Sequence, residues 1–148
     1  IFDIAEGTRP GDREAARESF RRFGEVAGDV ISQALTIIDG IVVLGGGLTG
    51  AAKYFMPSLL AEMRGEIGTF AGDRFPRLQM QTYDLDSPEE AAEFVREKSV
   101  PVAVPHSEER VRYHHIRQTP VVRSKLGASR AIALGAYAFA IAELDRRQ

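Results

Sequence analysis

The chain has no cysteine and no tryptophan, three histidines, and almost no net charge: 19 Lys and Arg against 21 Asp and Glu, formally -2. Without cysteine there is no disulfide framework, no Cys-ligated zinc, no iron–sulfur cluster and no thiol nucleophile. The same absence fits a reducing compartment. Without a basic excess there is no generic nucleic-acid surface. The longest clean apolar run, Ala131 to Ala142, falls short of the roughly 20 residues a spanning helix needs. No basic-then-apolar targeting pattern is present, and a cytoplasmic location is expected. The first residue is Ile, and the opening IFDIAEG is already half apolar, so the chain reads as a piece of a longer protein. With 148 residues, 44% of them apolar, one domain is expected, burying roughly 70% of its unfolded surface.

What is present is strong helical periodicity at both ends. Apolar residues recur at Ala16, Phe20, Phe23, Ala27, Val30, Ala34 and Ile38 in steps of three and four, which predicts a helix over 12–39. Gly11 and Asp12 stand where its cap belongs, and Asp12 and Glu14 suit the positive end of its dipole. Gly24 and Gly28 each cost about 1 kcal/mol against alanine inside a helix, so they predict a close helix contact. The last helix is predicted over 128–146. Its stripe of Ala128, Ala131, Gly135, Ala138 and Ala142 predicts close packing against those two glycines.

Between these helices, Ile41 to Leu44 predicts a short buried strand of the parallel type. A glycine loop over 45–50 leads into a helix over 51–64, with Pro57 bending it or marking its first regular turn. Residues 65–76 read as a loop and 78–83 as a strand. Ser87 caps a helix over 88–98, with Pro88 at its first position and Glu89 and Glu90 in its first turn. Residues 100–104 and 110–122 read as a hairpin that Pro101, Pro105 and Pro120 push toward sheet edges. The order of elements is that of a layered α/β domain.

The sharpest motif is IVVLGGGLTGAA, Ile41 to Ala52. Glycines let a backbone approach a ligand closely, and N–H groups at a helix start favour an anion or a polar ring. The bland alternative is a tight strand–helix turn, against which three consecutive glycines weigh. Gly45, Gly47 and Gly50 match G-x-G-x-x-G, the dinucleotide fingerprint. That fingerprint also wants an acid about 20 positions on, at the end of the next strand. Glu66 stands near that distance but in a loop, and Asp84 ends a strand but comes too late. Other chemistry is thin. His114 and His115, adjacent on a predicted strand, point to opposite faces, and no metal site is expected. Arg110, Arg112, Arg117, Arg123, Lys125 and Arg130 form a loosely basic stretch that offers a face to a phosphate or an acidic partner, though a solvated edge is the simpler reading. Ser129 has no downstream His and is no nucleophile elbow.

The run IVVLGGG, set between a long helix and another, resembles the adenosine-contacting motif of the actin-like ATPase superfamily. Within it the chain resembles the ROK family of sugar kinases and repressors, in particular its glucokinase-like members. Three stretches carry the likeness: IFDIAEG…GDREAARESFRRFGEVAGDVISQALTIID, IVVLGGGLTGAAKYFMPSLLAEM and SKLGASRAIALGAYAFA. They cover residues 1–64 and about 120–145. The segment from Phe70 to Arg117 is longer than the family usually needs.

The resemblance implies a ribonuclease H-like (actin-like ATPase) α/β domain, with a mixed sheet flanked by long helices. Residues 1–148 would form a single domain, the C-terminal, nucleotide-side lobe of a two-lobe sugar kinase. It implies phosphoryl transfer from ATP, with Mg²⁺, to a hexose hydroxyl, which needs a carboxylate base. The first phosphate loop, the sugar pocket and the catalytic Asp would lie in the missing N-terminal lobe. No catalytic residue is then expected in this chain, which alone should be inactive. The adenosine side falls on Gly45, Gly46, Gly47 and Leu48, with Thr49 and Lys53 nearby. The implied partners are the missing lobe and, in the whole protein, a sugar; a homodimer is allowed, while a membrane and direct nucleic-acid contact are not expected. Two alternatives stay open: the sugar-sensing domain of a ROK-type repressor, and a dinucleotide-binding oxidoreductase domain.

Overall fold

Two glycines decide how the largest packed helices meet. In the computed structural model, which describes residues 1–146, the chain opens with α1 (Phe2–Glu6) and continues into the long α2 (Arg13–Leu35). The Asp12 side chain caps α2 by accepting from the Ala15 N–H. The buried face of α2 is Ala16, Phe20, Gly24, Gly28, Ser32 and Leu35. Val30, Ala34 and Ile38, expected inside, are exposed, and the helix stops at Leu35 rather than at residue 39. The reason is the partner's backbone. A Cβ on Gly24 would stand 2.3 Å from the Phe55 carbonyl oxygen, and one on Gly28 would stand 2.6 Å from that of Leu59. Both belong to α3 (Ala52–Met63). The seam is stitched by Ser58 Oγ, which donates to the Arg21 carbonyl at 2.8 Å. Around it lies the core, with Phe20, Phe55, Leu59, Met63 and Val121 at its centre.

The main sheet is parallel and three-stranded, in the order β1 (Val42–Leu44), β7 (Gln118–Arg123), β4 (Gln81–Asp84). Antiparallel pairing is confined to two hairpins. One joins β2 (Glu66–Gly68) to β3 (Arg74–Pro76), where a loop was expected; the other joins β5 (Val100–Ala103) to β6 (Arg110–Tyr113). Residues 118–123 therefore leave the expected hairpin and form the central strand. Pro120, expected at an edge, sits inside β7 and is buried. The register explains why this is tolerated. Ser124 N–H donates to the Leu44 carbonyl, so two steps of two residues back along the ladder the missing Pro120 N–H would face the Gly40 carbonyl. Thr119 Oγ1 donates to that carbonyl instead, at 3.0 Å. A proline in a central strand normally leaves an acceptor unpaired; here the neighbouring hydroxyl takes its place.

The two edges of this sheet differ. On β4, Arg64 donates to the Thr82 carbonyl at 3.0 Å, and Glu90 accepts from the Asp84 N–H at 2.7 Å. Arg64 and Glu90 also pair with each other. The outward Thr82 carbonyl and Asp84 N–H of β4 are thus capped by side chains, a known guard against further strand pairing. On β1, Leu44 faces β7, so the Val43 amide and carbonyl face outward, and no side chain among the described residues caps them. Val43 and Ile41 are exposed, which corrects the expectation of a fully buried strand.

Ser87 caps α4 (Pro88–Val95) by accepting from Glu90 N–H, as its pattern predicts. The final helix α5 (Ala128–Arg146) has the expected bounds but not the expected partner. None of its residues is buried, and a Cβ on Gly135 would meet nothing within 4 Å. The close approach written into Gly24 and Gly28 is made to α3, not to α5. The helix is apolar on every side, with Ile132, Leu134, Tyr137 and Phe139 all exposed, the pattern of a helix packed on all its faces.

Candidate functional site

In an open parallel sheet, ligands bind outside the carboxyl ends of the strands. Here β1 ends at Leu44 and runs into Gly45, β7 ends at Arg123 and runs into Ser124, and β4 ends at Asp84 just before Asp86. The glycine turn does not open directly into α3. It enters a short 3-10 helix over Gly47–Ala51, and α3 follows. Gly46 has φ +100° and ψ -175°, a region nearly closed to side chains. The Thr49 hydroxyl locks the turn by donating to the Gly46 carbonyl at 2.8 Å.

The remaining glycines of the turn have a different character. A Cβ on Gly47 or Gly50 would meet nothing within 4 Å, and one on Gly45 would only reach the Ser124 Cβ at 4.0 Å. The protein itself does not require them to be glycine. They leave the surface bare, which suits a flat ring or sugar laid on the backbone. Beside them is a cleft of about 300 Å³ bordered by Thr49, Gly50, Asp86, Arg123, Ser124 and Lys125. A larger cleft of about 1030 Å³ lies at the opposite, amino end of β4, near Met63, Leu78 and Ile116, away from the glycine turn.

Of the residues expected at the site, Gly45, Gly46, Gly47, Leu48 and Thr49 form one turn, with Leu48 half exposed. Lys53 is engaged elsewhere. Its ammonium lies 2.6 Å from Glu6 Oε1 and 5.1 Å from the Tyr54 ring centroid, tying α3 to α1. The hydrogen bond from Lys53 holds the Glu6 carboxyl below its usual range, and Glu6 holds the Lys53 ammonium above its own. Two bordering residues, Asp86 and Ser124, carry no site signal in the sequence, and Arg123 and Lys125 stand there only as members of the basic stretch read as a solvated edge. What brings the four to the turn is topological, since β7 must lie beside both β1 and β4.

The dinucleotide pattern fails on the same topology. Glu66 sits on β2 beside Arg74, and Asp84 ends a strand separated from β1 by β7. That is two strand spacings, roughly 10 Å, where the fingerprint needs the neighbouring strand. His114 and His115 lie in the loop after β6 rather than on a strand, with His114 Nδ1 2.6 Å from the Ile116 carbonyl oxygen. Among the described residues no group of three or more His, Asp and Glu is placed to hold a metal. Arg112, Arg117 and Arg123 each pair with a separate carboxylate, on Glu97, Asp39 and Asp86, so the basic stretch is not one patch. No described helix is long and apolar enough to cross a membrane.

Comparison with solved structures finds the crystal structure of the glucokinase from Parabacteroides distasonis, with a TM-score of 0.77 and 46% identity over 95% of this chain. The fold is that of part of a glucokinase. This chain spans 37% of the length of that glucokinase. No protein-family model matches the chain, and no curated protein matches it.

Proposed function

We propose that this chain is the nucleotide-side lobe of an ATP-dependent, ROK-type sugar kinase, and that it binds the adenosine of ATP on the glycine turn over 45–50. The observation that carries the reading is the conjunction of a glucokinase likeness at 46% identity with a turn whose Gly47 and Gly50 leave the surface open at the carboxyl edge of a parallel sheet. The open turn fits a nucleoside. The described residues offer no ligand set for Mg²⁺, so in the whole enzyme the metal would be held by the ATP phosphates and by residues outside this chain. Its chemistry there would be charge neutralisation during transfer to a hexose hydroxyl. The catalytic base, the sugar pocket and the first phosphate loop belong in this reading to a second lobe. The bare α5 and the uncapped β1 edge are the surfaces that such a lobe would cover. A cytoplasmic location follows from the same reading.

Titration calorimetry of the chain with MgADP, MgATP and NADH tests it, with a coupled glucose phosphorylation assay alongside. The expected result is binding of the adenine nucleotides, no preference for NADH, and no turnover of glucose by this chain alone. Stabilisation by NADH without MgADP would move the reading to a dinucleotide enzyme. Turnover of glucose by the chain alone would show that the catalytic residues are already here.

A further inference from the structure

We infer that the Asp86–Arg123 pair reads the ribose and phosphate of the bound nucleotide, an inference that rests on the nucleotide reading above. Asp86 lies just past the carboxyl end of β4. Its N–H donates to Asp84 Oδ1 at 2.9 Å, and its Oδ2 accepts from Arg123 Nε at 2.5 Å. Its side chain is only 16% exposed, whereas that of Arg123 is 46% exposed. The two residues form the wall shared by two clefts. One is the cleft beside Thr49, Gly50, Ser124 and Lys125; the other, of about 250 Å³, borders Ala52, Met56 and Pro57.

The bonding leaves a defined set of groups for a ligand. Arg123 spends only Nε on the carboxylate, so both terminal nitrogens keep their N–H donors. Asp86 spends Oδ2 and keeps Oδ1 as an acceptor. Lys125 adds an ammonium with no partner among the described residues. A carboxylate oxygen accepts from hydroxyls, and a guanidinium donates to phosphate oxygens with matching fork geometry. One acceptor beside several cationic donors matches a molecule that carries a hydroxyl next to a phosphate. With the base or sugar face against the bare glycine turn, that molecule is a nucleotide rather than a nucleoside. The paired carboxylate also holds the guanidinium in place before a ligand arrives, so little side-chain order need be lost on binding.

The test is titration calorimetry of the chain, wild type and two variants, with MgADP, 2′,3′-dideoxy-ADP with Mg²⁺, and adenosine. Wild type should bind MgADP about tenfold or more tightly than the dideoxy analogue, the size expected for a hydrogen bond to a charged group. Asp86→Asn should narrow that difference by weakening MgADP more than the dideoxy analogue, which loses only the fixed position of Arg123. Arg123→Gln should narrow the preference for MgADP over adenosine by about tenfold with adenosine affinity kept. The wild-type comparison stands even if a variant folds poorly, which circular dichroism would reveal. Equal wild-type affinity for MgADP and its dideoxy analogue would overturn the inference while leaving the nucleotide reading in place. Asp86→Asn weakening both ligands alike would overturn it too. Failure of wild type to bind any adenine nucleotide would overturn the reading itself, and this inference with it.

Discussion

Gly24 and Gly28 are crowded, whereas Gly47 and Gly50 are bare. The α2 pair lies under the carbonyls of Phe55 and Leu59, at distances no side chain could share; the turn pair faces open space. Both sets read alike in sequence, as glycines spaced within or beside a helix. Crowded glycines hold the fold together, and bare ones leave room for something that is not part of the chain. A glycine should therefore be classed by what a Cβ would touch, not by spacing.

The comparison can be broken from either side. Gly24→Ala strikes the crowded side hardest, because the added carbon meets backbone that cannot swing away. Overpacking of this kind costs about 1–3 kcal/mol, sometimes more, and Gly24→Val should exceed Gly24→Ala in urea unfolding. Stability unchanged by Gly24→Ala would mean that the α2–α3 seam is looser than described. Gly46→Ala tests the turn's own conformation. Its backbone is held where only glycine sits easily, so a cost of order 1–3 kcal/mol is expected, visible in the same titration. Gly47→Ala sharpens the contrast: its unfolding midpoint should match wild type, while MgADP affinity falls about tenfold, or 1.4 kcal/mol. Full MgADP affinity in Gly47→Ala would mean that the turn is bare for no functional reason.

The smallest effect lies on the solvent face of α2, opposite the seam. Hydrogen bonds from Arg21, and then Arg22, hold the Glu18 carboxyl down at about 2 against an ordinary 4.5. A lowered carboxylate value gives stability that is present above 4.5 and is lost as pH falls through about 2. Because the group is solvent-exposed the pair is weak. Glu18→Gln should leave the melting temperature at pH 7 nearly unchanged, and should slightly flatten its decline between pH 4.5 and 2.

Local signals were legible. Asp12 and Ser87 announce their helices because capping is a matter of adjacent residues, and the bounds of α5 follow from an alanine-rich run. The glycine turn was visible as well. What failed was the assignment of partners. Small residues four apart state that something comes close without naming it, so α5 was expected where α3 stands. The apolar pattern of α2 misled in the same way: Phe23, Val30 and Ala34 are exposed, while Ser32 is buried with its hydroxyl donating to the Gly28 carbonyl. Pro120 resembled an edge residue because nothing in its neighbourhood shows that Thr119 will serve the orphaned Gly40 carbonyl. Asp86 and Arg123 are 37 positions apart, and only the strand order brings them to the turn.

The sheet can lengthen in one direction only. With Arg64 and Glu90 closing β4, a strand joins beside Val43 or not at all. Stacking of copies into an endless ribbon needs two receptive sides, and among the described residues the three-stranded sheet offers one. Two chains that met at β1 would occupy the whole receptive edge, so self-association through the sheet stops at a pair.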